Sequence, residues 1–247
     1  DLKLKEFKLE NSYGHKINIL EGCDLENPDA IILFLHGIGA HHQLILENED
    51  SFQYKNIKFS SSNIKIFGLE FSGHGKSEGV RCSINSYDDL IREIELIVNY
   101  IKKNYQDKKI FIYAESMGGG LAITYQIKYS LRSKVDGYIL MAPMCGFHDS
   151  IKPNFILKNI LITMSSIFPT LKALSTTKSI EDSCKNQDYL NAKLKCNYQY
   201  NDKIRLNTAR ECNNIVDFIE KNSHKFNSPI FLLHGIDDPI TCCKHSI

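Results

Sequence analysis

The chain has 247 residues, enough for one large α/β domain or for one domain that carries an insertion. Hydrophobic residues make up 43% and charged residues 24%, so a sizeable core can form and a disordered chain is excluded. Lys and Arg number 30 against 29 for Asp and Glu, and this balance argues against a nucleic-acid-binding protein.

Seven short segments have the pattern of β-strands. Residues 5–10 and 15–20 flank the turn signal of residues 11–14, which predicts an antiparallel pair. Five apolar runs follow without polar alternation, which predicts strands buried on both faces, as in a parallel sheet. These runs are residues 31–35, 64–69, 110–114, 138–141 and 230–233.

Helical patterns lie between these runs. One apolar stripe runs from residue 87 to 101 and opens with the capping signal Ser86-x-x-Asp89. Residues 117–131 and 206–223 have the other helical patterns. The alternation of strands and helices predicts an α/β fold with right-handed crossovers.

Residues 147–205 interrupt this alternation. They contain the apolar stretch 155–168 and then a polar tract, and we interpret them as a mostly helical insertion over one end of the sheet. Residues 41–62 form a polar connection that is long for a strand–helix loop. The predicted domains are therefore a core of residues 1–146, a cap of 147–205 and a second core part of 206–247.

The strongest chemical signal is segment 114–118 (Ala-Glu-Ser-Met-Gly), between a predicted strand and a helix. This context predicts a nucleophile elbow, usually written G-x-S-x-G. Ala114 replaces the usual Gly but is still small. Ser116 would stand above the sheet at a helix N-terminus, whose partial positive charge favours an oxyanion. The alternative is an ordinary turn with a capping Ser.

Segment 36–39 (His-Gly-Ile-Gly) follows the strand of residues 31–35. A Gly here lets the backbone turn so that amide groups face the nucleophile. We predict that the amides of Ile38 and Met117 form an oxyanion hole. His36 is interpreted as a structural hydrogen-bonding residue rather than a base.

Two further segments follow predicted strands. The Gly-rich segment 73–79 lacks the spacing of a phosphate-binding loop and is interpreted as a structural turn, with His74 outside the chemistry. Residues 234–239 carry Asp237 and Asp238 just after a late strand. Asp238 is the candidate acid that orients a His, with Asp237 as its rival and a solvated turn as the alternative.

Together, these motifs resemble the monoglyceride lipase/lysophospholipase branch of the α/β-hydrolases, from about residue 5 to 247. The matching segments are LHGIG at 35–39, GHGKSEG at 73–79, AESMGG at 114–119, the MAP segment after strand 138–141 and LLHGIDDP at 232–239. The resemblance implies an α/β-hydrolase fold with a mostly parallel sheet and a helical cap. It also implies Ser116 as nucleophile, Asp238 as acid and Ile38 and Met117 as oxyanion amides. It implies no metal or organic cofactor.

The resembling family places its catalytic His after a further strand beyond the acid, whereas this sequence has nine residues after Asp238. We expect the base, with the last strand and helix of the fold, to lie beyond Ile247. The alternative is a natural pseudoenzyme without a base. His245 is too near Asp238 in sequence for us to expect it over Ser116.

The predicted function is hydrolysis of the ester of a single-acyl-chain lipid, a monoacylglycerol or a lysophospholipid, through an acyl-enzyme on Ser116. The competing class is a non-catalytic lipid-binding or scaffold protein, and peptidase or acyltransferase activity is also open. The stretch 155–168 would line an acyl tunnel or touch a membrane, or else simply pack the cap on the core.

The eight Cys contain no C-x-x-C pair and are too few for a disulfide scaffold, so we interpret them as reduced thiols. No apolar run reaches the ~18 residues of a membrane span. We therefore expect a cytoplasmic protein that meets membranes only peripherally, if at all. The sequence makes no prediction about the oligomeric state.

Overall fold

The computed structural model describes residues 4–22, 25–42, 63–129, 132, 135–152, 155–174 and 186–247. Its central sheet has seven strands in these ranges. They are β1 (Leu4–Glu10), β2 (Lys16–Gly22), β3 (Ala30–Leu35), β4 (Ile64–Leu69), β5 (Lys109–Glu115), β6 (Gly137–Met141) and β9 (Ile230–Leu233). Two short strands, β7 (Lys172–Leu174) and β8 (Ile204–Arg205), form a separate antiparallel pair.

The strand order is β1-β2-β4-β3-β5-β6-β9. β1 pairs with β2 and β2 with β4 in antiparallel register, and the other neighbouring strands are parallel. The turn between β1 and β2 is closed by a hydrogen bond from the Gly14 amide to the Asn11 carbonyl at 3.0 Å. The predicted mostly parallel sheet with an antiparallel start is confirmed.

Five α-helices accompany the sheet in the described ranges. They are α1 (Tyr87–Asn104), α2 (Met117–Tyr129), α3 (Phe155–Ile167), α4 (Gln187–Lys195) and α5 (Leu206–Asn222). The Ser86 side chain caps α1 by accepting a hydrogen bond from the Asp88 amide. α2 lies between α1 and α5 and is buried along most of its length, which makes it the central helix of this layer.

The prediction that all five apolar runs are buried on both faces is wrong for β9. Ile230, Phe231 and Leu233 are 48%, 60% and 38% exposed. β9 is the last strand at one edge of the described sheet and pairs only with β6 there. An edge strand without a helix over its faces exposes the same apolar side chains that a central strand buries.

The described residues of segment 147–205 contain α3, α4 and the β7–β8 pair, which the sequence did not predict, and the assignment of this segment as a mostly helical cap stays a prediction. α3 packs on α5 and leaves several large apolar side chains exposed. Those on or just after α3 are Leu157, Ile160, Ile162, Ile167 and Phe168. Within the described ranges, no helix has the length and apolar character needed to cross a membrane. Most of the predicted 41–62 connection lies outside the described residues.

The start of α5 is joined to the segment before α1 by a set of buried hydrogen bonds, which we call the α5 seam. The Thr208 hydroxyl donates to the Cys82 carbonyl at 2.8 Å and accepts from the Ile84 amide at 3.0 Å. The Asn207 amide donates to Ser83 Oγ at 2.8 Å. These bonds hold α5 against the core directly after segment 147–205.

Candidate active site

Ser116 occupies the sharp turn between β5 and α2. Its φ is +53°, a left-handed conformation that is uncommon for any residue but Gly and is often stored at functional sites. The Ser116 amide donates to the Met141 carbonyl at 3.1 Å, and its own carbonyl accepts from the Met144 amide at 2.9 Å. Neighbouring backbone therefore fixes the strained turn, and the side chain remains partly exposed.

The glycines after Ser116 are required by close packing. A Cβ on Gly118 would lie 2.5 Å from the Leu35 carbonyl oxygen and 2.7 Å from that of His36. A Cβ on Gly119 would lie 2.7 Å from the Cβ of Pro143. The start of α2 thus fits against the end of β3 only without a side chain at residue 118, as the elbow motif predicts, and against Pro143 only without one at residue 119.

The predicted oxyanion segment lies directly beside Ser116. A Cβ on Gly37 would be 3.2 Å from Ser116 Cβ and 3.6 Å from Ser116 Oγ. Ile38 follows Gly37 and is partly buried. Met117 is the first residue of α2, so its amide has no acceptor within the helix. The structure therefore brings Ser116 together with both residues whose amides were predicted to hold an oxyanion.

His36 has a structural role, as expected. Its Nε2 accepts a hydrogen bond from the Phe71 amide at 3.1 Å, so the proton lies on Nδ1, which donates to the Gly37 carbonyl at 2.7 Å. Burial, together with the nearby His74 and His42, holds its pKa well below the usual value. A neutral ring with both nitrogens occupied ties β3 to the loop after β4.

The Gly-rich segment 73–79 is a compact turn packed on a buried carboxylate. Gly73 and Gly75 have φ values of +73° and +51°, and a Cβ on Gly75 would collide with the Glu70 carboxyl group. His74 Nδ1 is hydrogen-bonded to the Ser72 carbonyl at 3.0 Å, and burial lowers the pKa of His74 to about 4. This arrangement supports the structural interpretation of His74.

Asp238 lies in the loop after β9, at the same edge of the sheet as Ser116. Its Oδ1 accepts hydrogen bonds from the amides of Ile240 at 2.8 Å and Thr241 at 2.9 Å. Its Oδ2 accepts one from the Thr241 hydroxyl at 2.8 Å. The neighbouring Asp237 is exposed, whereas Asp238 is half-buried. Of the two carboxylates, only Asp238 is held in one orientation.

Sequence reasoning missed the side chains that surround this acid. His234 Nε2 lies 3.6 Å from Asp238 Oδ2, and His234 Nδ1 is hydrogen-bonded to Ser246 Oγ at 2.8 Å. His234 Nε2 also lies 3.2 Å from the Thr241 carbonyl. No signal in the sequence marks these contacts, since they depend on how residues 239–246 fold back.

No histidine nitrogen is hydrogen-bonded to Ser116 Oγ in the part of the chain that the structure describes. His245 packs its ring against Gly146 instead, where a Cβ would collide with it. The same described ranges hold no group of three His, Cys, Asp or Glu side chains suited to a metal ion.

Segment 147–205 reaches the site from above the sheet edge. Burial raises the pKa of Glu115, which directly precedes Ser116, and the positive charge of Lys193 on α4 opposes that shift. The Tyr200 amide donates to the Gly39 carbonyl at 2.9 Å. The segment is therefore in contact with Gly39, which follows the predicted oxyanion residue Ile38, and Lys193 acts electrostatically on the residue before Ser116.

A family model described as "Serine aminopeptidase, S33" matches residues 26–247. Among curated relatives, caffeoylshikimate esterase of Arabidopsis thaliana is 26% identical over 77% of this chain and 58% of its own length. Monoglyceride lipase of Saccharomyces cerevisiae is 22% identical over 87% of this chain and 69% of its own length. The chain spans 57%, 22% and 58% of the lengths of the first three curated relatives it matches.

Two solved structures extend the comparison. The monoacylglycerol lipase of Paleococcus ferrophilus superposes with a TM-score of 0.72 at 20% identity, covering 99% of this chain and 82% of that chain. A soluble variant of the Saccharomyces cerevisiae monoglyceride lipase, in complex with a substrate analog, gives a TM-score of 0.77 at 18% identity, covering 100% and 80%. These likenesses show the α/β-hydrolase fold.

Proposed function

The chain belongs to the serine aminopeptidase, S33, family, and from that premise we propose that it is the α/β-hydrolase part of a carboxylic-ester hydrolase. The observation that carries the proposal is the geometry at Ser116. A strained turn holds its hydroxyl at the edge of the sheet, beside Gly37 and the first amide of α2. Such a turn is the usual setting of a serine nucleophile.

In the proposed reaction, Ser116 Oγ attacks the ester carbonyl and the amides of Ile38 and Met117 hold the resulting oxyanion. One such donor is typically worth ~10²–10³ in rate. Asp238 orients a histidine, which takes the serine proton and passes it to the leaving alcohol. Water then releases the acid from the acyl-enzyme.

The proposed substrate is an ester of a single acyl chain, a monoacylglycerol or a lysophospholipid. Relatives that carry the name monoglyceride lipase support this choice, whereas the plant caffeoylshikimate esterase favours a small aromatic ester. Segment 147–205, as a cap over the site, would provide the wall of an acyl-binding channel. These substrates differ in the length of their apolar part, so the dependence of kcat/KM on acyl length distinguishes them.

We also propose that the cap touches a lipid surface through α3. Leu157, Ile160 and Ile162 are exposed along this helix, and Ile167 and Phe168 are exposed at its C-terminal end. Apolar side chains at the boundary of a bilayer gain the free energy of burial. Co-sedimentation with phosphatidylcholine vesicles, lost in an Ile160→Glu/Phe168→Glu variant, is the expected result. Binding unchanged by this double substitution would contradict it.

The central test is labelling by a fluorophosphonate probe in the full-length protein. We expect wild type to be labelled at Ser116 and to hydrolyse esters. Ser116→Ala should lose both properties with an unchanged circular dichroism spectrum, while Ser166→Ala on the exposed side of α3 should retain them. If Ser116→Ala keeps activity within twofold of wild type in a preparation free of other esterases, the proposed nucleophile is wrong.

A series of p-nitrophenyl esters from acetate to laurate tests the substrate class. Each buried CH₂ is worth about 0.8 kcal/mol, or roughly fourfold in kcat/KM, so a lipid channel predicts a steep rise with chain length. A flat profile would point to a small ester. Absence of both labelling and turnover, with retained binding of a fluorescent lysophospholipid, would favour the non-catalytic alternative.

A further inference from the structure

A cysteine and a histidine meet where segment 147–205 contacts the oxyanion loop. Cys196 is the C-terminal cap residue of α4 and is partly exposed. His41, two residues after Gly39, is buried to 99%. Its Nε2 lies 3.0 Å from the Cys196 sulfur, which is a close thiol–imidazole hydrogen bond. Within the described ranges, the Cys196 sulfur is the one hydrogen-bond partner of the His41 ring.

A buried carboxylate lies behind this ring. Glu70 Oε1 is 3.7 Å from His41 Nδ1. The Glu70 carboxyl group is fixed by hydrogen bonds to its oxygens from Asn18 Nδ2 at 3.0 Å and from the Lys76 amide at 2.7 Å. Thiol, imidazole and carboxylate therefore lie in sequence, with the imidazole between the other two.

The imidazole is neutral at physiological pH. Burial lowers the pKa of His41 to about 4, and the positive charges of Arg81 and Lys76 act in the same direction. With the proton of the neutral ring on Nδ1, on the side of Glu70, the Nε2 lone pair accepts a hydrogen bond from the thiol. The imidazole is therefore placed to receive the thiol hydrogen when the sulfur attacks an electrophile.

The other described cysteines lack this setting. Burial raises the pKa of the Cys82, Cys145 and Cys212 thiols to about 12, 11 and 12. Cys242 and Cys243 are partly exposed like Cys196, but neither sulfur is hydrogen-bonded to an imidazole within the described ranges. They are therefore matched controls within the same molecule.

Cys196 also lies at one end of the contact between the cap and the oxyanion loop. Four residues later, the Tyr200 amide donates to the Gly39 carbonyl at 2.9 Å. A Cβ on Gly39 would be 3.3 Å from both the Tyr200 Cβ and its carbonyl oxygen, so the two segments are in tight contact. Cys196 is thus hydrogen-bonded to His41, and Tyr200 is hydrogen-bonded to Gly39, which follows Ile38.

We propose that Cys196 is a hydroperoxide-reactive thiol, and that its oxidation detaches residues 196–200 from the oxyanion loop. The sulfur attacks one peroxide oxygen, the S–O bond forms and the O–O bond breaks. The sulfur loses two electrons and becomes a sulfenic acid, and the peroxide is reduced to an alcohol or water. In the same step the thiol proton passes by way of His41 Nε2 to the leaving oxygen, so that the ring does not remain charged.

Detachment follows from the loss of the donor. Oxidation replaces the thiol hydrogen that Cys196 donates to His41 Nε2, so the hydrogen bond between this sulfur and nitrogen is lost. The oxyanion loop then loses one of its attachments to the cap. Only the effect on ester hydrolysis rests on the proposed function, since the oxidation itself is independent of it.

The first measurement is the site of oxidation. The full-length protein is treated with limiting hydrogen peroxide and dimedone, and each cysteine peptide is quantified by mass spectrometry. We expect Cys196 to be labelled at least ~10-fold faster than Cys242 or Cys243, and His41→Gln to remove that advantage without changing the two controls. Equal rates at the three sites, or an unchanged Cys196 rate in His41→Gln, would overturn the proposal.

The second measurement is detachment, followed by hydrogen exchange and by turnover. Peroxide should speed exchange in the peptide containing Tyr200 and lower ester hydrolysis, and dithiothreitol should reverse both effects. Cys196→Ser should keep basal turnover and resist peroxide. Oxidised Cys196 with unchanged Tyr200 exchange would refute the detachment. A protein without esterase activity would refute only the proposed function, because labelling and exchange remain measurable.

Discussion

The Asp238 carboxylate is held entirely by residues two and three positions after it. Two amides and one hydroxyl donate to it, so its orientation does not depend on a hydrogen bond from a histidine. Thr241 provides two of these three bonds and is itself buried. A threonine that touches neither substrate nor nucleophile therefore positions the proposed acid.

Thr241→Val removes the hydroxyl bond to Asp238 Oδ2 while keeping the shape of the side chain. The loss of one hydrogen bond to a charged group, about 1.5 kcal/mol, should lower kcat/KM roughly tenfold, mainly through kcat. Steady-state kinetics on a long-chain ester would measure it. Thr241→Ser keeps the hydroxyl and should restore most of the rate. A Val variant as active as wild type would remove Thr241 from this role.

The candidate site residues were predictable where their signal is local in the chain. Ser116 and Gly118 are neighbours in a motif whose spacing follows from one tight turn, and Asp238 directly follows a strand. Thr241 and the pair His41–Cys196 were not predictable. Cys196 is 155 residues from His41, and only the folded contact gives either residue its environment.

Periodicity predicted the strands that are buried on both faces and the helices that are buried along one face. β3, β5 and α1 therefore match their predicted positions closely. The exposure of β9 and the pairing of β7 with β8 were not predictable. Both depend on which other elements lie nearby, and a strand's own residues do not encode its neighbours.

The α5 seam offers a test at the level of elements. Thr208→Val would leave the Ile84 amide and the Cys82 carbonyl buried without their present partner, which should cost about 1–3 kcal/mol of unfolding free energy. Urea unfolding would measure the change. Thr163→Val on exposed α3 is the matched control and should shift stability by less than about 0.5 kcal/mol. Equal effects of the two substitutions would mean that the seam contributes little.

Buried histidines make the whole molecule sensitive to acid. The rings of His42 and His74 lie 5.2 and 5.0 Å from that of His36. Burial lowers the pKa of His42 to about 3 and that of His74 to about 4, as it does for His41. In each case the histidine is protonated below about pH 6.5 in the unfolded chain but stays neutral to a lower pH in the native state.

The contribution of these neutral histidines to the free energy of unfolding should therefore be fully present above about pH 6.5. It should be lost as the pH falls toward 4. Each such His contributes at most about 2 kcal/mol of loss between pH 6.5 and 5. Glu70 and Glu93, whose pKa values burial raises, act in the opposite direction and offset part of it. Urea midpoints at pH 7 and 5 would show the net effect. His74→Gln should flatten the dependence and His224→Asn, on the surface, should not. A stability independent of pH over this interval would contradict the expectation.

The α5 seam also has a consequence for the time order of folding. Ile84 and Thr208 are 124 residues apart, so a ribosome that adds ~5–20 residues per second needs roughly 6–25 s between them. During that interval the Cys82 carbonyl and the Ile84 amide emerge without the partner that later buries them. The segment at residues 82–84 is therefore synthesised well before α5, the helix that contacts it in the folded protein. Chaperones have access to these unpaired groups during that interval, and slower translation before residue 208 would lengthen it.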